Sequence, residues 1–68
     1  MSFESFCSRV NGYLRKAGIS AKVEFENDSD KMRFSAHIPE HGLTIFARPS
    51  GLSMTVRFGS GHQAMIKA

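Results

Sequence analysis

One cysteine, two prolines, a single acid in the second half of the chain and no long apolar run each exclude something. Cys7 alone cannot form the intramolecular disulfide framework on which many small secreted domains depend. Nothing approaches the roughly 18 apolar residues of a membrane span. The opening stretch "MSFESFCSRVNG" lacks the basic region and apolar run of a signal peptide. These absences predict an intracellular, cytoplasmic protein that does not enter a membrane. Recognisable catalytic and metal motifs are missing as well. No two of His37, His41 and His62 have the close spacing of a zinc site, and "ENDSDK" lacks the glycine and distal glutamate of an EF-hand. "GSGH" at 59–62 lacks the strand–loop–helix setting and the lysine of a P-loop, so a hairpin loop is expected there. Convergence of His62 with Glu40 or His41 for acid–base chemistry is the only enzymatic alternative. The expectation is therefore a non-enzyme with no catalytic residue, no metal and no cofactor.

What remains is ordinary globular composition, 41% hydrophobic and 22% charged, in 68 residues. That length predicts one small domain over 1–68, able to bury only about 60% of the surface its unfolded chain exposes. The net charge of +3 is unevenly spread. Residues 1–30 carry four bases against five acids, whereas residues 31–68 carry Lys31, Arg33, Arg48, Arg57 and Lys67 against Glu40 alone. Such asymmetry suggests a positive surface suited to nucleic acid or to an acidic protein.

Residues 3–17 read as a helix. Phe3, Phe6, Cys7, Val10, Leu14 and Ala17 form a single apolar stripe, with Ser2 as N-cap and Gly18 just past the end. Gly12 weakens its middle by up to about 1 kcal/mol relative to alanine. After Gly18 the apolar period changes to two, and five alternating runs follow: "AKVEFE", "KMRFSAHI", "LTIFAR", "LSMTVRF" and, more weakly, "HQAMIKA". The breakers "NDSD", "PEHG", "RPSG" and "GSG" are short enough to join antiparallel neighbours. The predicted fold is α+β, an N-terminal helix packed on one face of a five-stranded antiparallel meander sheet. Loop lengths predict Phe25 opposite Met32, Ile38 opposite Leu43, Ile45 opposite Met54 and Val56 opposite Ala64, so that apolar meets apolar throughout. They also place Glu26 beside Lys31 and Glu24 beside Arg33.

Phe46 breaks the alternation: between Ile45 and Ala47 an aromatic ring stands where a polar residue is expected. On the middle strand of five, its ring is expected to face water, flanked by Ser35 and Ser53. Arg33, Arg48, His37, Thr44 and Thr55 surround it, with Lys22, Lys67 and Arg57 further out. Such a ring is either a lone exposed apolar residue, one covered by the C-terminus or by a second copy, or a binding platform. The platform reading predicts that Phe46, Arg33, Arg48, Arg57, His37 and Lys67 bind a partner. Base–aromatic stacking contributes roughly 1–3 kcal/mol per base, and neighbouring cations neutralise phosphates. Single-stranded nucleic acid or RNA is the favoured partner. The alternative is an inhibitor or adaptor that docks on an acidic surface of a larger nucleic-acid-processing complex, as small phage and mobile-element proteins do. The modest total charge and the lack of a second stacking residue favour that alternative. Homodimerisation through the same face fits either reading. The element order resembles neither the RNA recognition motif, whose aromatic-rich pattern is absent, nor a double-stranded-RNA-binding domain, which needs a helix after its strands.

Overall fold

The computed structural model describes residues 1–66. Helix α1 spans Phe3–Lys16, and strands β1 (Glu24–Asp28), β2 (Arg33–Ile38), β3 (Leu43–Ala47), β4 (Met54–Phe58) and β5 (Gln63–Ile66) follow. The strands lie in chain order in one antiparallel sheet. The α+β meander expected from the periodicity is the observed fold.

The ends of α1 are chemically defined. Ser2 sits in extended backbone, and its Oγ accepts from the Ser5 amide at 3.0 Å, satisfying one of the helix's unpaired donors. Glu4 in the first turn and Arg15 and Lys16 in the last complement the helix dipole. At the far end Gly18 adopts φ 71° and donates to the Arg15 carbonyl at 3.1 Å, while Ile19 donates to the Leu14 carbonyl at 2.9 Å. This is a Schellman motif, and its left-handed position disfavours a side chain.

Phe6, Val10 and Leu14 of α1 are buried against Phe34, Ala36, Ile38, Leu43, Ile45, Ala47, Met54 and Val56 of β2, β3 and β4. The Phe34 ring lies 5.4 Å from Phe3 and 5.6 Å from Phe6, and Phe25 of β1 meets Phe6 edge-on at 6.4 Å. Each fully buried large side chain stabilises the fold by roughly 1.5–3 kcal/mol. Five strands span about 19 Å between the outer two, whereas one helix covers only about 10–12 Å. Accordingly Ala64, on the helix side of β5, remains exposed. Ala64 faces Val56 in register, as expected, but the helix does not cover it.

Two hairpins keep the expected register and two do not. Ile38 pairs with Leu43, through a turn that closes on Gly42 at φ 61°, and Met54 pairs with Ile66. Between β1 and β2, Phe25 pairs with Ala36 rather than Met32, and Glu24, Glu26 and Asp28 face His37, Ser35 and Arg33. The run "NDSD" does not end the strand at Glu26, because Asp28 Oδ1 accepts from the Lys31 amide at 3.1 Å and Asn27 and Asp28 stay in β1. Met32 lies in the turn at φ 51° and is 65% exposed, not inward. Between β3 and β4, Ile45 pairs with Val56 instead of Met54. Gly51 donates back to the Arg48 carbonyl at 2.9 Å, and Arg9 of the helix donates to the Leu52 carbonyl at 2.8 Å. Residue 52 is thereby drawn out of the ladder, and Leu52 is 73% exposed rather than inward. Both shifts are even-numbered, so the side chains that stay in the ladder keep the face their alternation dictates, and only Met32 and Leu52, which leave it, do not.

Candidate functional site

The sheet face away from α1 is a lattice of side chains set by the four registers. One row runs Glu24, His37, Thr44, Arg57, Gln63, and the next runs Glu26, Ser35, Phe46, Thr55, Met65. A third begins with Asp28 and Arg33 and continues into the loop after β3, where Arg48 stands. Phe46 therefore occupies the centre of the middle strand, with Ser35 on one side and Thr55, not Ser53, on the other. All three outward side chains of β1 are acids.

The ring is not bare, as the alternation alone predicted. It is half-buried, and two guanidinium groups lie over it, Arg33 Cζ at 5.5 Å and Arg57 Cζ at 5.1 Å from the centroid. They reach it from diagonal positions on β2 and β4, drawn by the negative ring face. Ser35, opposite Phe46, is only 7% exposed, because the larger side chains around it close over it.

The two arginines are held differently. With the Gln63 amide turned oxygen-inward, its Oε1 accepts from Arg57 Nε at 3.1 Å and from Arg57 Nη2 at 3.3 Å. Arg33 Nε is buried and has no hydrogen-bond partner among the described residues. A cation–aromatic contact contributes about 0.5–1 kcal/mol at such a site, whereas a buried unpaired donor costs about 1–3 kcal/mol. Arg57 is anchored, whereas Arg33 Nε has no such tie.

Two hollows adjoin the ring. The first, of about 480 Å³, lies between the β1–β2 turn and the β3–β4 loop, lined by Lys31, Met32, Arg33, Phe46, Ala47, Arg48, Gly51, Leu52, Ser53 and Thr55. It contains three bases and no acid. The second, of about 270 Å³, mixes Glu26 and Asp28 with Lys31, Arg33, Arg57 and His37. A shallower groove of about 530 Å³ lies apart, between the end of α1 and residues 19–23, with Arg15 its only charged lining residue.

Of the residues expected to form the site, Phe46, Arg33 and Arg57 meet, and Arg48 lines the first hollow. His37 belongs to the row beside them, its Nδ1 lying 3.4 Å from Thr44 Oγ1. Lys67 lies outside the described residues. Alternation alone does not reveal Lys31, Met32 and Leu52 as lining residues, since Met32 and Leu52 read as inward strand positions. The signals available were the Asx-turn chemistry of Asp28 and the proline and glycine after Arg48.

The remaining candidates resolve into local structure. In "GSGH", Gly61 at φ 93° donates to the Phe58 carbonyl and Phe58 donates to the His62 carbonyl, both at 2.8 Å, forming a hairpin turn. The His62 ring lies 5.9 Å from that of Phe58. Burial pushes the Cys7 thiol above its ordinary pKa, with Glu4 adding to the effect and a backbone hydrogen bond opposing it. Among the described residues no three His, Cys, Asp or Glu side chains converge to hold a metal ion. No helix among the described residues is long and apolar enough to cross a membrane.

No protein-family model, no curated protein and no solved structure matches this chain.

Proposed function

We propose that this is a non-catalytic binding protein whose open sheet face takes single-stranded nucleic acid. The observation that carries the reading is the acid-free hollow in which Lys31, Arg33 and Arg48 stand against the side of Phe46. Cations neutralise phosphates there, and an aromatic side chain beside them offers a surface for a base. The acids of β1 confine the favourable region to β2, β3, β4 and the two loops. A cytoplasmic site of action belongs to the same proposal.

The test is the anisotropy of a labelled single-stranded oligonucleotide across a salt series. Three phosphate contacts predict a log–log slope of about −2, at about −0.7 per contact for single strands. Arg48→Gln should flatten that slope by about 0.7. Absence of association at the lowest salt refutes the reading.

One observation favours a second reading, a protein partner with an acidic surface. Met32, Leu52 and Met65 are 65%, 73% and 64% exposed, and Met32 and Leu52 stand beside the bases of the first hollow. Methionine and arginine are enriched in protein interfaces relative to the rest of the surface. An inhibitor or adaptor acting on an acidic assembly would use this same corner. Its complex would survive nuclease treatment in a pull-down, whereas a nucleic-acid-bridged one would not.

A further inference from the structure

Resting on the nucleic-acid reading, we infer that Arg33 is a displaceable cover on Phe46. A nucleobase takes its place on the ring, and the released guanidinium turns further into the hollow that Arg33 already lines, to hold the phosphate of that same nucleotide. Two guanidinium groups share the ring, at 5.5 and 5.1 Å, yet only one is fastened. Arg57 is held by the Gln63 amide oxygen through Nε and Nη2. Arg33 has a buried Nε with no acceptor, so leaving the ring restores a hydrogen-bonding opportunity that resting there withholds. Asp28, its cross-strand neighbour, already directs Oδ1 to the Lys31 amide.

The hollow that Arg33 would turn into suits the role. Its volume of about 480 Å³ falls in the range of about 300–1,000 Å³ common to small-molecule sites. Arg33 already lines it beside Lys31 and Arg48, with no acid among the lining residues, so turning its guanidinium fully inward needs an anion to neutralise the three cations. A phosphate meets that need, and a guanidinium binds it through paired N–H donors. Met32 and Leu52 supply apolar walls for the sugar and base edge. The site's ligand class is therefore a nucleotide unit, a flat ring carrying a phosphodiester, rather than a phosphate or an aromatic ring alone.

The experiment compares two labelled probes of one base sequence, a phosphodiester single strand and an analogue with an uncharged backbone. Each is titrated against the wild type, Arg33→Ala, Arg33→Lys and Arg57→Ala, with circular dichroism confirming the fold. Arg33→Ala should weaken the phosphodiester probe by about tenfold, through loss of a charge-assisted contact. It should tighten the uncharged probe by about threefold, through uncovering of the ring. Arg33→Lys, which keeps the charge but cannot stack as a plane, should tighten the uncharged probe while holding the phosphodiester within about threefold of wild type. Arg57→Ala should lack this opposite response. If the wild type binds the phosphodiester but neither Arg33 variant tightens the uncharged probe, the exchange is overturned and the binding reading stands. If the wild type binds neither probe at the lowest salt, both are overturned.

Discussion

Two adjacent residues on β3 face opposite sides of the sheet. Ile45 is fully buried beneath the helix, whereas Phe46 points to the other face and is half-buried under two arginines. Removing each side chain should therefore separate stability from binding. Ile45→Ala should cost about 2–5 kcal/mol, a large fraction of what so short a chain has. Phe46→Ala should leave a cooperative urea transition but weaken single-strand binding by about 1–3 kcal/mol. Parallel urea melts and anisotropy titrations check the contrast, and equal destabilisation by the two would show that Phe46 is structural. Phe46 itself was legible from the sequence, because a single aromatic breaking a strict alternation has few places to go. Its cover was not, because the cover depends on which diagonal neighbours two registers bring alongside, and one of those registers shifted. Arg57, expected at the periphery, arrives directly over the ring because Thr55 rather than Ser53 stands opposite Phe46.

At the level of elements, the helix and all five strands were readable because periodicity survives an error in loop length. The apolar stripe from Phe3 to Leu14 and the Ser2 cap locate α1 within a residue of its observed end. Strand pairings were harder, because breaker residues can remain in strands when their side chains cap turns locally. Asp28 does so, and Leu52 is drawn out by a helix arginine 43 residues away, a contact no local pattern encodes. The helix end offers a test of local conformation separate from burial. Gly18 has φ 71° and open space where a Cβ would stand, so Gly18→Ala meets no clash and pays only in backbone geometry. The expected loss is about 1–2 kcal/mol in urea unfolding, with the oligonucleotide affinity unchanged. A neutral or stabilising result would show that the chain past α1 relaxes freely.

For the molecule as a whole, the arrangement of charge matters more than its sum. Stacking two copies through the open face about a two-fold axis at Phe46 brings the Arg33 and Arg57 guanidinium groups of both copies together over the two rings. An axis across the strands also sets the β1 acids against their own counterparts at one margin. Either face-to-face arrangement brings like charges together at its centre, and a closed two-fold interface must satisfy the same patch twice. Sedimentation should therefore give the same mass for the wild type and Phe46→Ala at neutral pH. A dimer lost on that substitution would move the homodimer from a possibility to the main use of the face.

The row of acids along β1 has a kinetic consequence. With Glu24, Glu26 and Asp28 at one margin and Arg48 and Arg57 across the sheet, the face carries an in-plane electric dipole. Under the proposed nucleic-acid function, an approaching polyanion would be turned by that field before contact and would arrive preferentially from the β4 side. Neutralising the margin would change how often encounters succeed while leaving the lifetime of the finished complex nearly as it was.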